Sequence, residues 1–292
     1  MNSSLFKKKQ LQLLASEIGC TGEEVIAITT GIDQHYRQWI EQKTNKKTGK
    51  PKTYKDGTVK QRVISPPLLK LATIQTKIKD RVLAKIPLPE NIHGGVRGKS
   101  NITNALPHKG KKYIFTTDLQ DFFPNISPRQ VVDSFMKLGY SDHYAHWIAK
   151  LVTWQHQVPQ GAPTSSHIAN IVFLQTDHKL IKLCGRYNIT YTRYVDDLTF
   201  SSSENFEGQI EEILNIVITD GFKISRRKTN LKPLQNVTGI NVFNNKIDAP
   251  AKIKLKVEEE SQVDNPAKPY TSYYNRILKA DRKSVKRNKK SP

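Results

Sequence analysis

Residues 190–201 read TYTRYVDDLTFS. Strand-forming Thr, Tyr, Leu and Phe flank Asp196-Asp197, so residues 189–201 predict a β-hairpin with two adjacent carboxylates near its turn. Like charges so placed repel, and a plain turn would more naturally use Asp-Gly or Asn-Gly. A bound Mg²⁺ resolves the repulsion, because it takes hard oxygen ligands from one or two carboxylates plus phosphate. A charged hairpin tip is the bland alternative.

Working outward, TTDLQDFFPNIS (116–127) places Asp118 at the end of a strand, with Phe123 five residues on. Asp118 and Asp196 together suit two ions roughly 4 Å apart, the arrangement that clamps the attacking and leaving oxygens in phosphoryl transfer. Alone, Asp118 would pass for a strand-end cap. Between these elements, PQGAPTSSHIAN (159–170) puts Gln160-Gly161 before a helix start, combining a flexible turn, an amide and exposed N–H groups. An ordinary helix start capped by Thr164 is the alternative there.

The coarse order of elements supplies a frame. Helices are predicted over 4–18 and 22–42, the second opened by Thr21 and Glu24 as a capping box. A basic stretch follows (43–66), whose Lys-Asp-Gly turn suggests a hairpin, and then an amphipathic helix from Pro66-Pro67 to Ile86. Tyr113–Thr117 reads as a strand, Ser127-Pro128 opens a helix stopping at Gly139, and 142–155 and 164–183 are helical. The hairpin, a helix (206–219) and short strands (222–244) complete a split βαββαβ pattern, in an α+β fold.

These three elements, taken in chain order, resemble motifs A, B and C of reverse transcriptases. The resemblance implies a right-hand polymerase with fingers, palm and thumb, the palm a split βαββαβ antiparallel sheet with helices and the thumb small and mainly helical. It also implies two Mg²⁺ ions, with Mn²⁺ able to substitute, and deoxynucleoside triphosphates as substrates. Asp118, Asp196 and Asp197 match the catalytic, metal-binding carboxylates. Gln160, with Gly161, matches the position beside the nucleotide sugar, and Phe123 matches the aromatic gate against a ribose 2′-hydroxyl. RVISPPLLKLATIQ (62–75) resembles the fingers motif, which gives Arg62 the triphosphate, a role suited to a guanidinium, with Lys55 a looser candidate. GFKISRRKTN (221–230) resembles motif D, so that Lys228 would protonate the pyrophosphate, with Arg227 or Lys223 as alternatives. Two departures stand out: Ser165-Ser166 where proline commonly follows the first serine, and Val195 where alanine is more usual.

Two short stretches point to the retron type. Asn104-Ala105-Leu106-Pro107-His108 resembles its Asn-Ala-x-x-His element, and Val237-Thr238-Gly239 resembles its Val-Thr-Gly element near the primer grip. The resemblance implies a cognate structured non-coding RNA, priming from a guanosine 2′-hydroxyl, a branched RNA–DNA product (multicopy single-stranded DNA) and an effector protein in phage defence. Asn104, His108, Tyr194, Val237, Thr238 and Gly239 would meet RNA or primer. So would Arg282, Lys283, Lys286 and Arg287 in the tail, where 279–290 carries seven Lys or Arg against one Asp. Tyr270, Tyr273 and Tyr274 are candidates to stack on bases. Group II intron-like, diversity-generating and abortive-infection reverse transcriptases are the neighbouring alternatives, and a non-catalytic RNA-binding scaffold is the distant one.

Composition agrees with such a partner. Lys and Arg number 47 against 26 Asp and Glu, a net +21 over 292 residues, and nucleic acid is the usual polyanion that offsets so large a self-repulsion. No run of 18 uncharged apolar residues occurs, and the start lacks an apolar signal region, so a cytoplasmic protein without membrane contact is expected. Cys20 and Cys184 are expected reduced and buried. His143 and His146 lack further ligands at zinc-like intervals, and the Gly-rich loop at 94–98 lacks the P-loop pattern. Trp39, Trp147 and Trp154 fall on amphipathic helical patterns and are expected as core or lobe contacts. The expected divisions are 1–45, an N-terminal helical extension; 46–110, fingers with part of the palm; 111–245, palm; and 246–292, thumb and basic tail.

Overall fold

The computed structural model describes residues 3–44, 51–53, 56–225, 230–232, 236–262 and 266–288, with backbone alone at 3–4, 230–232 and 285–288. They form two compact units: residues 1–87 with 121–172, and 88–120 with 173–292.

Helix α1 (Ser3–Ile18) opens the first unit, followed by α2 (Gly22–Thr30), whose Thr21–Glu24 capping box is present as expected. The predicted continuation of α2 to residue 42 is wrong. The helix ends at Gly31, and Trp39–Gln42 forms β1, paired antiparallel with β2 (Gln61–Ile64). After Pro66-Pro67, helix α3 (Leu69–Arg81) buries Leu71, Ile74 and Ile78, and a single 3-10 turn over Leu83–Lys85 completes the predicted run. Helices α5 (Pro128–Lys137) and α6 (Asp142–Val152) complete this unit's packing; α1 and α3 both contact α6. Trp154 is buried and stacked on Tyr36 at 4.7 Å, whereas Trp39 is half exposed on β1.

In the second unit α4 (Asn101–Ala105) precedes β3 (Tyr113–Asp118). Helix α7 (Ser165–Arg186) begins in the first unit and leads here to the hairpin of β4 (Thr190–Tyr194) and β5 (Asp197–Ser202). Helix α8 (Ile210–Thr219) and β6 (Asn230–Lys232) follow. The sheet order is β4-β5-β3-β6, antiparallel throughout, as the split βαββαβ pattern requires. A second sheet joins β7 (Asn236–Val237), β8 (Ile240–Val242) and β9 (Ile247–Asp248). It shares a core with α4 and the C-terminal helices α9 (Ala251–Ser261) and α10 (Pro269–Asn288), in which Ile102, Ile114, Val237, Ile240 and Ile277 are buried.

Cys184 is buried, its thiol pushed up to about 12 by desolvation, while Cys20 is only half-buried; both are free. Among the described residues no helix is long and apolar enough to cross a membrane.

Candidate active site

Asp118 and Asp197 are register partners in the antiparallel pairing of β3 with β5. Opposite residues in such a pair project from the same face of the sheet, with Cβ atoms about 4.5–5.5 Å apart. Asp118 is 6% exposed, and Asp196 and Asp197 are half-buried. The Leu119 N–H donates to the Asp196 carbonyl at 2.9 Å, so the end of β3 is fastened to the turn itself. The fold thus gathers all three expected carboxylates within one unit.

The turn linking β4 to β5 consists of Val195 and Asp196, because Tyr194 already pairs with Asp197. Val195 has φ +58°, a left-handed conformation that is costly for a β-branched residue. Backbone packs tightly behind it. A Cβ placed on Gly94 would lie 2.3 Å from the Val195 nitrogen, so only glycine fits there. The segment carrying Gly94 runs alongside β4: the Arg193 N–H donates to the Asn91 carbonyl at 2.9 Å, and the His93 N–H to the Arg193 carbonyl at 2.8 Å.

Sequence reasoning passed over Arg193, whose side chain is fully buried. Its Nε and Nη2 donate to the two Asp177 carboxylate oxygens at 2.9 and 2.6 Å, and its Nη1 to the Val195 carbonyl at 2.9 Å. The guanidinium also lies 4.8 Å from the centre of the Phe173 ring. A charged residue inside a strand-forming stretch was the signal available.

The expected nucleotide-binding residues fall in the first unit. Gly161 adopts φ +101° directly after Gln160, and the Ser65 N–H donates to the Gln160 carbonyl at 2.7 Å. That bond joins the Gln160-Gly161 turn to the segment leaving β2, the strand bearing Arg62. The Arg62 guanidinium is paired with Glu41 across the β1–β2 ladder at 2.5 Å. Phe123 is half-buried against Phe122, with ring centres 5.8 Å apart. Lys55 and Lys228 lie outside the described residues, as do the side chains of Lys286 and Arg287.

The two short elements of the second unit meet each other. Asn104 Nδ2 donates to Thr238 Oγ1 at 3.3 Å, and Asn101 Nδ2 to the Thr238 carbonyl at 3.1 Å and to the Tyr273 hydroxyl at 2.7 Å. Thr238 (φ +47°) and Gly239 (φ +87°) form the tight turn between β7 and β8. His108 bridges side chains of the two hairpin strands, Nδ1 2.6 Å from Ser201 Oγ and Nε2 2.7 Å from Thr192 Oγ1. Burial, with smaller effects of His93 and Lys111, pushes its imidazole down to about 3 and keeps it neutral. Asn104, His108 and Val237 are wholly buried. Of the six residues expected at RNA or primer outside the C-terminal tail, only Tyr194, Thr238 and Gly239 therefore present surface to a nucleic acid. Likewise Tyr273 and Tyr274 pack against the core instead of standing clear for stacking, while Arg282 and Lys283 on α10 are exposed. Lys109, one residue past His108, ties this region to α10 through Asp281 at 3.0 Å and Ser284 at 2.6 Å.

Among the described residues no three His, Cys, Asp or Glu side chains converge closely enough to enclose a metal ion by themselves. The donor set still fits Mg²⁺ in kind, since facing strands offer hard carboxylate oxygens and Mg²⁺ commonly completes its shell with substrate phosphate and water.

The family described as reverse transcriptase (RNA-dependent DNA polymerase) matches residues 45–242. The Retron Mx65 reverse transcriptase of Myxococcus xanthus is 33% identical, the match covering 62% of this chain and 48% of that protein. The Retron Se72 reverse transcriptase of Salmonella heidelberg is 31% identical, covering 68% and 50%. The chain thus spans about half the length of these curated relatives. Telomerase from Candida albicans, solved with a TWJ fragment of telomeric RNA, aligns at 12% identity and a TM-score of 0.49, covering 89% of this chain and 58% of that one.

Proposed function

The chain belongs to the reverse transcriptase family of RNA-dependent DNA polymerases, and on that premise we propose that it is a retron-type enzyme copying a cognate structured RNA into DNA. The observation that carries this reading is the facing of Asp118 and Asp197 across β3 and β5, with Asp196 in the adjoining turn. Curated relatives named as retron reverse transcriptases, and the contact between the Asn104 and Thr238 elements, support the retron assignment.

In this reading Asp118, Asp196 and Asp197 hold two Mg²⁺ ions, which supply activation of the primer hydroxyl and stabilisation of charge on the departing pyrophosphate. The primer oxygen forms a bond to the α-phosphorus of the incoming deoxynucleotide as the bond to pyrophosphate breaks. Arg62 exchanges the Glu41 carboxylate, its partner before substrate arrives, for the triphosphate, and Lys55 is a second, looser triphosphate contact. Gln160 and Gly161 face the sugar, Phe123 excludes a 2′-hydroxyl, and Lys228 gives pyrophosphate its proton. Tyr194 and the Thr238-Gly239 turn meet the primer, while Arg282, Lys283, Lys286 and Arg287 on α10 contact RNA phosphates. In the right-hand description, the β4-β5-β3-β6 sheet is the palm and the 246–292 segment the thumb. The first primer is a guanosine 2′-hydroxyl, the product is branched multicopy single-stranded DNA, and an effector protein shares the complex in phage defence, in the cytoplasm.

The test is to express the gene with its native flanking DNA and treat the co-purified nucleic acid with RNase, DNase or a 2′,5′-debranching enzyme. A short DNA released from RNA by debranching alone is expected. Linear DNA indifferent to debranching would reject the retron reading while leaving the polymerase, and RNA alone would reject both.

A further inference from the structure

A buried ion pair is an expensive way to hold a helix to a strand, since well-packed apolar residues of similar volume often do as well or better. The Arg193–Asp177 pair is fully enclosed, and the Tyr191 hydroxyl donates to Asp177 at 2.7 Å as a further support. Two of the guanidinium's nitrogens are fixed by the carboxylate fork, and Nη1 donates to the Val195 carbonyl. That carbonyl belongs to the residue in the least favourable backbone conformation of the hairpin, φ +58° at a β-branched side chain. Such a conformation costs on the order of 1–3 kcal/mol and persists only where its surroundings impose it.

We propose that Arg193 is a positioning residue, clasping the Val195 carbonyl so that the strained turn directs Asp196 and Asp197 toward the reacting phosphate. The proposal rests on the polymerase reading above. The side chain starts on β4, is locked by Asp177 of α7, and returns to the turn two residues ahead of its own position. Backbone at Gly94 closes the turn from another side, and the Leu119 N–H holds the Asp196 carbonyl. Of these supports only the Arg193 clasp comes from a side chain, so it is the one that substitution can remove. Without it, Val195 is free to relax toward negative φ, and both carboxylates change direction with the backbone that bears them.

The test uses the full chain on poly(rA)–oligo(dT) with dTTP and Mg²⁺. R193M combined with D177N removes the clasp without leaving a buried charge unpaired. We expect kcat to fall about tenfold or more and KM for dTTP to stay within about threefold, the pattern of a lost interaction that matters in the transition state. The Mg²⁺ concentration for half-maximal rate should rise. Adding V195G should then recover most of the lost rate, because glycine takes a positive φ without support. A general packing defect would not be cured at that position. Wild-type kcat in the R193M/D177N chain would overturn the proposal. So would failure of V195G to restore rate in a chain that still melts cooperatively. If R193M/D177N does not fold, R193K, which keeps Asp177 paired but loses the planar fork, is read in the same assay with and without V195G, and the same outcomes decide. A wild-type chain that incorporates nothing would instead overturn the polymerase reading, and the positioning role with it.

Discussion

Asn104 and Thr238 lie 134 residues apart and share a hydrogen bond at 3.3 Å between side-chain amide and hydroxyl. The bond fastens α4 to the turn between β7 and β8, where Thr238 and Gly239 both take positive φ. If the two short elements act as one, N104A and T238V should be coupled. A double-mutant cycle in urea unfolding should give an interaction of about 0.5–1.5 kcal/mol, and additive effects would separate the two elements. Valine keeps the branching of Thr238, so the cycle isolates the hydroxyl.

D197N should abolish DNA synthesis while leaving the fold intact or slightly firmer. Asp197 faces Asp118, and like charges opposite one another in a sheet cost about 0.2–1 kcal/mol. Removing one charge returns that amount, while losing a metal ligand should lower the rate by about 10³-fold or more. Primer extension and a melting curve on one preparation check both. A lowered melting temperature would assign Asp197 to the structure.

Replacing Phe123 by alanine should admit ribonucleotides. The ring is half-buried against Phe122, so the substitution removes bulk at a surface position without opening a deep cavity. The preference for dTTP over UTP, as a ratio of kcat/KM, should fall about tenfold or more. An unchanged ratio would remove Phe123 from the gate.

Acid should loosen the second unit through His108. Its imidazole is held down to about 3 by burial, against about 6.5 for an unfolded histidine. The unfolded chain therefore takes up a proton that the folded chain refuses. The stabilisation is complete above pH ~6.5 and is lost as the pH falls toward 3, at about 1.4 kcal/mol per unit. H108Q cannot titrate, so its unfolding free energy should fall less steeply between pH 6.5 and 4. Equal slopes would show that His108 is protonated within the fold.

Much of this was legible because it is local. Alternation around Asp196-Asp197 marked the hairpin, a capping serine marked α5, and turn residues bounded the strands. What escaped depends on partners distant in sequence. Residues 36–42 carry an acceptable helical pattern, yet Trp39 pairs with Ile64, and that non-local ladder ends the helix earlier than periodicity suggests. His108 was expected to meet RNA or primer, yet Thr192 and Ser201, distant in sequence, occupy both of its ring nitrogens. Arg193 stood out only as a charge inside a strand, and Asp177, among the polar Gln175, Thr176, His178 and Lys179, gave no sign of burial, since it is the packing of β4 on α7 that removes the pair from water.

The order β4-β5-β3-β6 puts Asp118 and Asp197 on the two strands with neighbours on both sides. Fraying begins at the margins of a sheet, so amide protons on β3 and β5 should be the last of the four strands to exchange with deuterated solvent. Interior strands let the margins of the sheet open and close while the spacing of the two carboxylates survives each opening. Under thermal stress, catalytic competence and the cooperative fold of this sheet should then be lost together.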